Sequence, residues 1–332
     1  MAKYIIKRIL LALLVLFGVS VFLYFLLRLM PTNAIIDRYY TQVQGGTSIT
    51  EADLQRMLAI YGLDDSSFGG IIKGYFKWLG NFLKGDMGKA FSGDDVSYII
   101  SSKMGISFGI SFVSLILEVI IAIPLGIKCA CNQYGKLDYT ATVLCMVGIA
   151  FPAFFLGNIL IKIFAVDLGW FPISGMNDPG LGTDVNGFVW FVDLLWHLVL
   201  PLFVMTILSI GSLMRYTRTN TLEVLNADYI RTARAKGLSE GKVVYKHVFR
   251  NTLIPLVTVL AATLPTLFGG AMITEEVFAI DGIGRTAYNA LKDGDVALAM
   301  SYNMFLAVLT VIGTLLADIL YVVVDPRVKL GK

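Results

Sequence analysis

Asp228-Tyr229-Ile230-Arg231-Thr232-Ala233-Arg234-Ala235-Lys236-Gly237-Leu238-Ser239-Glu240 lies in a charged interval, 215–252, between two long apolar runs. Its punctuation predicts two short helices. Asp228 reads as an N-cap, Arg234 and Lys236 fall in the last turn, and Gly237 stands where a helix stops. Ser239 then caps a second helix running to Arg250, and Pro255 marks entry into the next apolar run. The expected product is a knuckle of two helices with a small, approachable tip. A solvated basic loop would explain the charge, but not the caps, the alanines and the glycine.

The 332-residue chain around this knuckle is 56% hydrophobic and 15% charged, with mean hydropathy +0.73. Soluble domains hold about 25% charged residues, so disorder, fibre and most soluble enzymes are excluded. Three cysteines do not make a disulfide scaffold, and a net charge of +3 does not suggest a nucleic-acid binder. Crossing a bilayer takes about 20 mostly apolar residues. Six segments qualify: Ile9–Leu29, Met104–Ile127, Thr140–Phe164, Leu194–Met214, Leu253–Ile273 and Ala299–Val324. The first is too long for a cleaved signal and lacks a small-residue cleavage site, so it is read as a retained helix. With both termini inside, the inner stretches carry 16 Lys/Arg against 10 outside, and 5 acids against 17. That is the positive-inside asymmetry. The expected architecture is an all-α integral membrane protein of six transmembrane helices with cytoplasmic termini.

No catalytic chemistry assembles. Gly80-Asn81-Phe82-Leu83-Lys84-Gly85 lacks the lysine–hydroxyl ending of a phosphate loop, and Gly282-Ile283-Gly284-Arg285-Thr286-Ala287 has no preceding strand. His197 and His247 fall on opposite sides, and Cys129, Cys131 and Cys145 lack the spacing of a zinc site. No metal site or cofactor is expected. Gly105, Gly109, Ser107, Ser111 and Ser114 form a small-residue face, read as packing within the chain. Glu118 and Asp318 are possible intramembrane polar sites, since a carboxylate is expensive there. Near mid-membrane, Glu118 must meet a partner or a cavity, or stay protonated. Asp318, nearer the inner end, is expected to be hydrated or to pair with the basic loop.

The knuckle resembles the EAA loop of ABC importer permeases. The common form is E-A-A-x3-G-x9-I-x-L-P; here Arg231-Thr232-Ala233 stands at E-A-A, and 17 residues instead of 12 separate Gly237 from Pro255. Both departures are similar to the oligopeptide/dipeptide importer subfamily, close to Y-I-R-T-A-R-A-K-G-L followed by R-N-A-L-I-P. Tyr229–Leu238 and Arg250–Pro255 match it nearly residue for residue. Further matches run along almost the whole chain: Tyr4-Ile5-Ile6-Lys7-Arg8, Tyr61-Gly62-Leu63-Asp64, Trp78-Leu79-Gly80, Gly85-Asp86-Met87-Gly88 and Ile123-Pro124-Leu125-Gly126. Leu168-Gly169-Trp170-Phe171-Pro172, Glu276-Val277-Phe278, Gly282-Ile283-Gly284, Asp318 and Asp325-Pro326-Arg327 complete them. Two positions depart: Thr32-Asn33-Ala34 replaces a frequent Gly-Asp after the first span, and Glu118 stands where a small or apolar residue is expected.

The resemblance implies a type I ABC importer permease fold, in a bacterial or archaeal cytoplasmic membrane. It also implies as partners a second homologous permease, two cytoplasmic ATPase subunits, an extracellular solute-binding protein and a peptide substrate. Arg231, Thr232, Ala233, Gly237, Leu238, Ser239 and Glu240 are the expected docking residues for the ATPases. The expected division is a tail and first helix over 1–30, an extracellular segment over 31–103, a permease core over 104–325 with the coupling loop at 215–252, and a tail over 326–332. Within the extracellular segment, Thr50-Glu51-Ala52-Asp53 and Gly62 predict a small capped helix. Dipeptides, nickel chelates and sugars are alternative cargoes. A stand-alone proton-coupled carrier using Glu118 is the rival from another class, and an intramembrane enzyme lacks a nucleophile–base pair.

Overall fold

In hydrocarbon every backbone amide must find its partner within the protein, so long apolar runs become helices. The computed structural model describes residues 2–29, 32–46, 50–63, 65, 67–181, 186–269 and 271–324, and its regular structure is helical. Met30-Pro31, Asp64, and Asp325-Pro326-Arg327 with the 326–332 tail lie outside the described residues. Helix α1 is Ala2–Leu29, followed by α2 (Thr32–Gln44), α3 (Glu51–Tyr61) and α4 (Phe68–Leu83). Then come α5 (Val96–Cys131), α6 (Lys136–Ala150), α7 (Ala153–Leu160, extended by a π turn over Ile161–Asp167) and α8 (Gly187–Leu225). Helix α9 is Asp228–Ala235. Helix α10 (Glu240–Lys242) passes through a π turn (Val243–Val248) into α11 (Phe249–Thr263) and a 3-10 turn (Leu264–Phe268). Helices α12 (Met272–Val277), α13 (Ile283–Asp293) and α14 (Val296–Val324) follow.

Among the described residues four helices, α1, α5, α8 and α14, are long and apolar enough to cross a membrane, and up to five spans result if α6 and α7 count as one. Six spans are expected from the sequence, and two of them are interrupted. The third is bent by 101° between α6 and α7. Pro152 lacks an N–H and pushes Phe151 into an extended conformation (φ −81°, ψ 130°), which ends α6. The fifth gives way beyond Thr263, where Pro265 enters the 3-10 turn. Helices α5 and α8, of 36 and 39 residues, are about 54 and 58 Å long at 1.5 Å per residue, well beyond a hydrocarbon core of about 30 Å.

Small residues set the close contacts, the expected serines among them but not the expected glycines. A Cβ on Gly105 or Gly109 would meet nothing within 4 Å, whereas one on Gly126 of α5 would lie 2.7 Å from the Met214 carbonyl oxygen of α8 and 2.8 Å from Thr217 Cβ. The serines do pack: Ser107, Ser111 and Ser114 are buried, and the Ser114 and Thr206 hydroxyls lie 3.4 Å apart across α5 and α8. On the far side of α8, Gly211 admits α6, since a Cβ there would sit 2.9 Å from the Cys145 carbonyl oxygen.

At the other end of these helices, the segment between α1 and α5 folds onto α13 and α14. Helix α3 has the expected start and stop. Thr50 and Asp53 form a reciprocal capping box, and Gly62 closes the helix at φ +63°. Tyr24 of α1 stacks on Trp78 of α4 with centroids 5.7 Å apart, and its hydroxyl donates to the Tyr61 carbonyl at 3.0 Å. The Tyr61 side chain is fully buried, with its hydroxyl 3.1 Å from the carbonyls of both Met87 and Ala297. Buried Asp295 accepts from Phe91 N at 2.6 Å and Leu298 N at 3.1 Å, joining the loop before α5 to the head of α14. Burial raises the Asp295 carboxyl above the ordinary range against the pull of these donors.

Gly282-Ile283-Gly284 forms the corner between α12 and α13. The buried Glu275 carboxylate accepts from Arg285 N at 2.9 Å and Ala271 N at 3.2 Å, and Ser107 Oγ accepts from Ile283 N at 2.8 Å. A Cβ on Gly282 would lie 2.4 Å from both Glu275 Oε2 and Ser107 Oγ. The glycine is required by this close approach. Gly282→Ala should lower stability by about 1–3 kcal/mol through overpacking, whereas Gly80→Ala, with open space around it, should be neutral or stabilise by up to about 1 kcal/mol. Thermal unfolding of the purified variants in detergent measures both.

The capping box gives a pH signature. Its hydrogen bonds, that from Thr50 foremost, hold the Asp53 carboxyl below its ordinary value. The resulting stability is present above the unfolded pKa and is lost as pH falls through the lower folded one. Thr50→Ala should remove about 1 kcal/mol at neutral pH and flatten the decline in stability on acidification, followed as unfolding temperature from pH 6 to 3.

Candidate coupling site and intramembrane cavity

Helix α8 ends at Leu225, and the turn through Asn226 and Ala227 redirects the chain into α9. Ala227, not Asp228, occupies the N-cap position, and no side chain caps it. Asp228 instead stands in the first turn, fully solvated and 3.8 Å from Arg231, where a carboxylate favours the helix dipole. Ile230, Ala233, Val243 and Val248 are buried together against Val224 and Leu225. This small core is what gives eight residues of α9 a fixed position, since an isolated helix that short is unstable in water.

Gly237 adopts φ +75°, and its N–H donates to the Arg234 carbonyl at 2.9 Å. Arg234 then reaches across the turn to Glu240 with a fork of bonds at 2.8 and 3.3 Å. Ser239 occupies the N-cap of α10, but its side chain makes no cap hydrogen bond. The second arm does not stop before the fifth apolar run: from Glu240 through Thr263 the chain stays helical, with Pro255 inside α11. The knuckle is therefore held between the end of α8 and a continuous rod leading into α11.

Of the seven expected docking residues, Arg231, Thr232, Gly237, Leu238, Ser239 and Glu240 are exposed and close together along the tip. Ala233 is buried in the small core beneath them, so its place is structural support for the exposed face. Arg234 belongs to the tip as its clamp. Tyr229 and Tyr245 are exposed nearby in sequence, at 50% and 72%.

Beside the knuckle, Arg218 of α8 grips Asp138 of α6 through Nε–Oδ1 at 2.6 Å and Nη2–Oδ2 at 2.7 Å. Tyr134 N also donates to Asp138 at 2.9 Å. Two charges 80 residues apart carry no local pattern that would reveal this pair. Asp318 pairs with Arg8 at 3.0 Å, joining the start of α1 to α14. The contact is an ion pair without regular hydrogen-bond geometry at that oxygen, and its partner is not the basic loop expected from sequence. Glu118 makes no ion pair among the described residues. It borders a cavity of about 360 Å³ between α5, α8, the end of the fifth apolar run and α12, with Ser111, Ser209, Thr263, Thr266 and Thr274 also in its wall.

Long apolar helices with an exposed knuckle at one end are those of a membrane protein with a cytoplasmic-type protrusion. Residues 122–330 match the family described as binding-protein-dependent transport system inner membrane component, and the chain belongs to that family. It is 37% identical over 331 residues to the oligopeptide transport system permease protein AppB of Bacillus subtilis, covering 99% of this chain and 100% of the relative. It is 31% identical to the oligopeptide transport system permease protein OppB of Haemophilus influenzae, with 99% and 100% covered. It is 30% identical to the dipeptide transport system permease protein DppB of B. subtilis, with 100% and 99% covered. Inward-facing structures of the MetNI methionine ABC transporter share the fold. One aligns with TM-score 0.54 and 19% identity over 69% of this chain and 97% of that chain. The fold is that of a type I ABC permease.

The Asp138–Arg218 pair should matter for stability. Removing one partner of a buried ion pair costs about 3–5 kcal/mol. The 22% exposure of Arg218 places Asp138→Asn at the low end of that range. Thermal unfolding of the Asp138→Asn variant against wild type reads this directly, with Asp138→Asn/Arg218→Met expected to recover part of the loss.

Proposed function

We propose that this chain is one of two permease subunits of an ATP-driven importer that carries oligopeptides across the cytoplasmic membrane. The observation that carries the mechanism is the mounting of the knuckle, held between α8 and the rod that continues into α11. Arg231, Thr232, Gly237, Leu238, Ser239 and Glu240 form the face that docks into a cytoplasmic ATPase subunit, with Ala233 supporting it from below. Cations and small side chains suit a groove partly lined by carboxylates. Movement of the docked ATPase displaces the knuckle as a body, and α8 and α11 carry that displacement into the bundle. The bundle then exchanges two packed arrangements.

In this reading both termini are cytoplasmic and the chain is multi-pass. Residues 1–30 form the tail and first helix, 31–103 the extracellular segment, 104–325 the permease core and 326–332 the tail. A homologous permease completes the path, an extracellular solute-binding protein delivers peptide, and two ATPase subunits hydrolyse ATP. The chain itself is not an enzyme. The names of its relatives favour oligopeptides, with the dipeptide relative placing dipeptides second.

Gly237 offers a clean test, because a Cβ there would meet nothing within 4 Å while φ is +75°. Gly237→Ala and Gly237→Glu share a backbone cost of about 1–2 kcal/mol, but only glutamate adds bulk and charge to the docking face. In proteoliposomes holding the whole importer, the alanine variant should keep coupled uptake. The glutamate variant should remain in the membrane complex and lose peptide uptake coupled to ATP hydrolysis. Normal coupled uptake by Gly237→Glu would overturn the docking assignment.

A further inference from the structure

Glu118 is a polar group within the apolar spans that the coupling mechanism does not use. It sits within the apolar run Met104–Ile127 of α5, half-buried, and among the described residues it forms no ion pair or hydrogen bond. An intramembrane carboxylate without a partner is costly and marks a pathway or a ligand site. Its cavity is large enough, at about 360 Å³, to fall within the range of small-ligand pockets. Among the described residues no lysine, arginine or histidine lines it.

The hydroxyls around Glu118 narrow the choice of ligand. Ser209 donates its hydrogen to the Met205 carbonyl at 3.0 Å, Thr263 to Leu260 at 2.8 Å, and Thr266 to Thr263 at 2.7 Å. A hydroxyl that has spent its one hydrogen on its own helix keeps only acceptor lone pairs for anything else. With the carboxylate, these three hydroxyl oxygens place acceptors along the wall. The fifth apolar run also breaks beside the cavity, in the 3-10 turn Leu264–Phe268. Broken helices at membrane depth occur where backbone lines a cavity, and such breaks frame substrate sites in transporters.

We propose that Glu118 and its hydroxyl-lined cavity form a cation subsite on the translocation path, which takes an ammonium or guanidinium group of the peptide in transit. The proposal rests on the peptide-importer reading above. Such a group brings several N–H donors and no acceptor, which complements the carboxylate and these hydroxyl oxygens. Its source is either the N-terminal ammonium, common to all free peptides, or a Lys or Arg side chain.

The experiment uses the complete importer in proteoliposomes, with Ala-Lys-Ala, Ala-norleucine-Ala and Ala-Glu-Ala as probes. Wild type is compared with Glu118→Gln and Glu118→Asp, each checked for intact assembly and unstimulated ATPase. Because the binding protein is unchanged, the variant-to-wild-type uptake ratio isolates the permease. For a side-chain source, Glu118→Gln lowers uptake of the lysine probe about tenfold relative to the glutamate probe. For the N-terminal source, Gln lowers all three probes about tenfold and Asp restores them to within about threefold of wild type. Unchanged ratios, or a uniform loss that Asp does not restore, overturn the subsite. Failure of the wild type to import any peptide, or uptake driven by a pH gradient without ATP, overturns the importer reading itself.

Discussion

Lipid tails are as apolar as leucine, so hydrophobicity gives two helices in a membrane little reason to meet; close backbone approach does. In this protein that approach is made at Gly126, where α5 lies against the Met214 carbonyl and Thr217 of α8. Farther along the same seam, Ser114 and Thr206 face each other, and Ser107 reaches the corner that starts α13. Helix α6 is then placed on the outside of α8 by Gly211 and by the Asp138–Arg218 pair. The position of α8 decides where α9 emerges. A larger residue at Gly126 would disturb the seam from which these attachments hang.

The proposed docking face and the cavity share two helices. Helix α8 lines the cavity near Ser209 and ends at the knuckle, about 24 Å farther along its axis at 1.5 Å per residue. The α10–α11 rod begins at the knuckle and contributes Thr263 to the cavity wall. Neither helix has a loop between the two regions that could absorb a displacement, although the π turn Val243–Val248 lies on the second. Such turns are frequent at functional sites. The interruptions elsewhere fall at identifiable residues: Pro152 at the sharp bend, Pro265 at the start of the 3-10 turn, and Gly237 at the tip of the knuckle.

Much of the knuckle was legible locally. Helix stops and turns depend on the conformational range of one or two residues, so Gly237 and Gly62 announce themselves. Caps were less legible: Thr50 with Asp53 behaves as its spacing predicts, whereas Asp228 is displaced by one position and Ser239 leaves its side chain unused. The difference is tertiary. The small core of Ile230, Ala233, Val243 and Val248 positions α9 without a side-chain cap, and it also takes Ala233 off the exposed face.

The sequence by itself determined that this chain is a bundle of apolar helices with one ordered basic protrusion, because hydropathy and turn chemistry are local properties. It also carried the family, through motifs spread over nearly the whole chain. Only the tertiary structure decided that Asp318 meets Arg8, that Asp138 meets Arg218, that Gly126 rather than Gly105 makes the close contact, and that Glu118 opens on a hydroxyl-bearing cavity. Each of these joins residues on different helices. Such pairings are set by how the helices pack, a property that no single stretch of sequence contains.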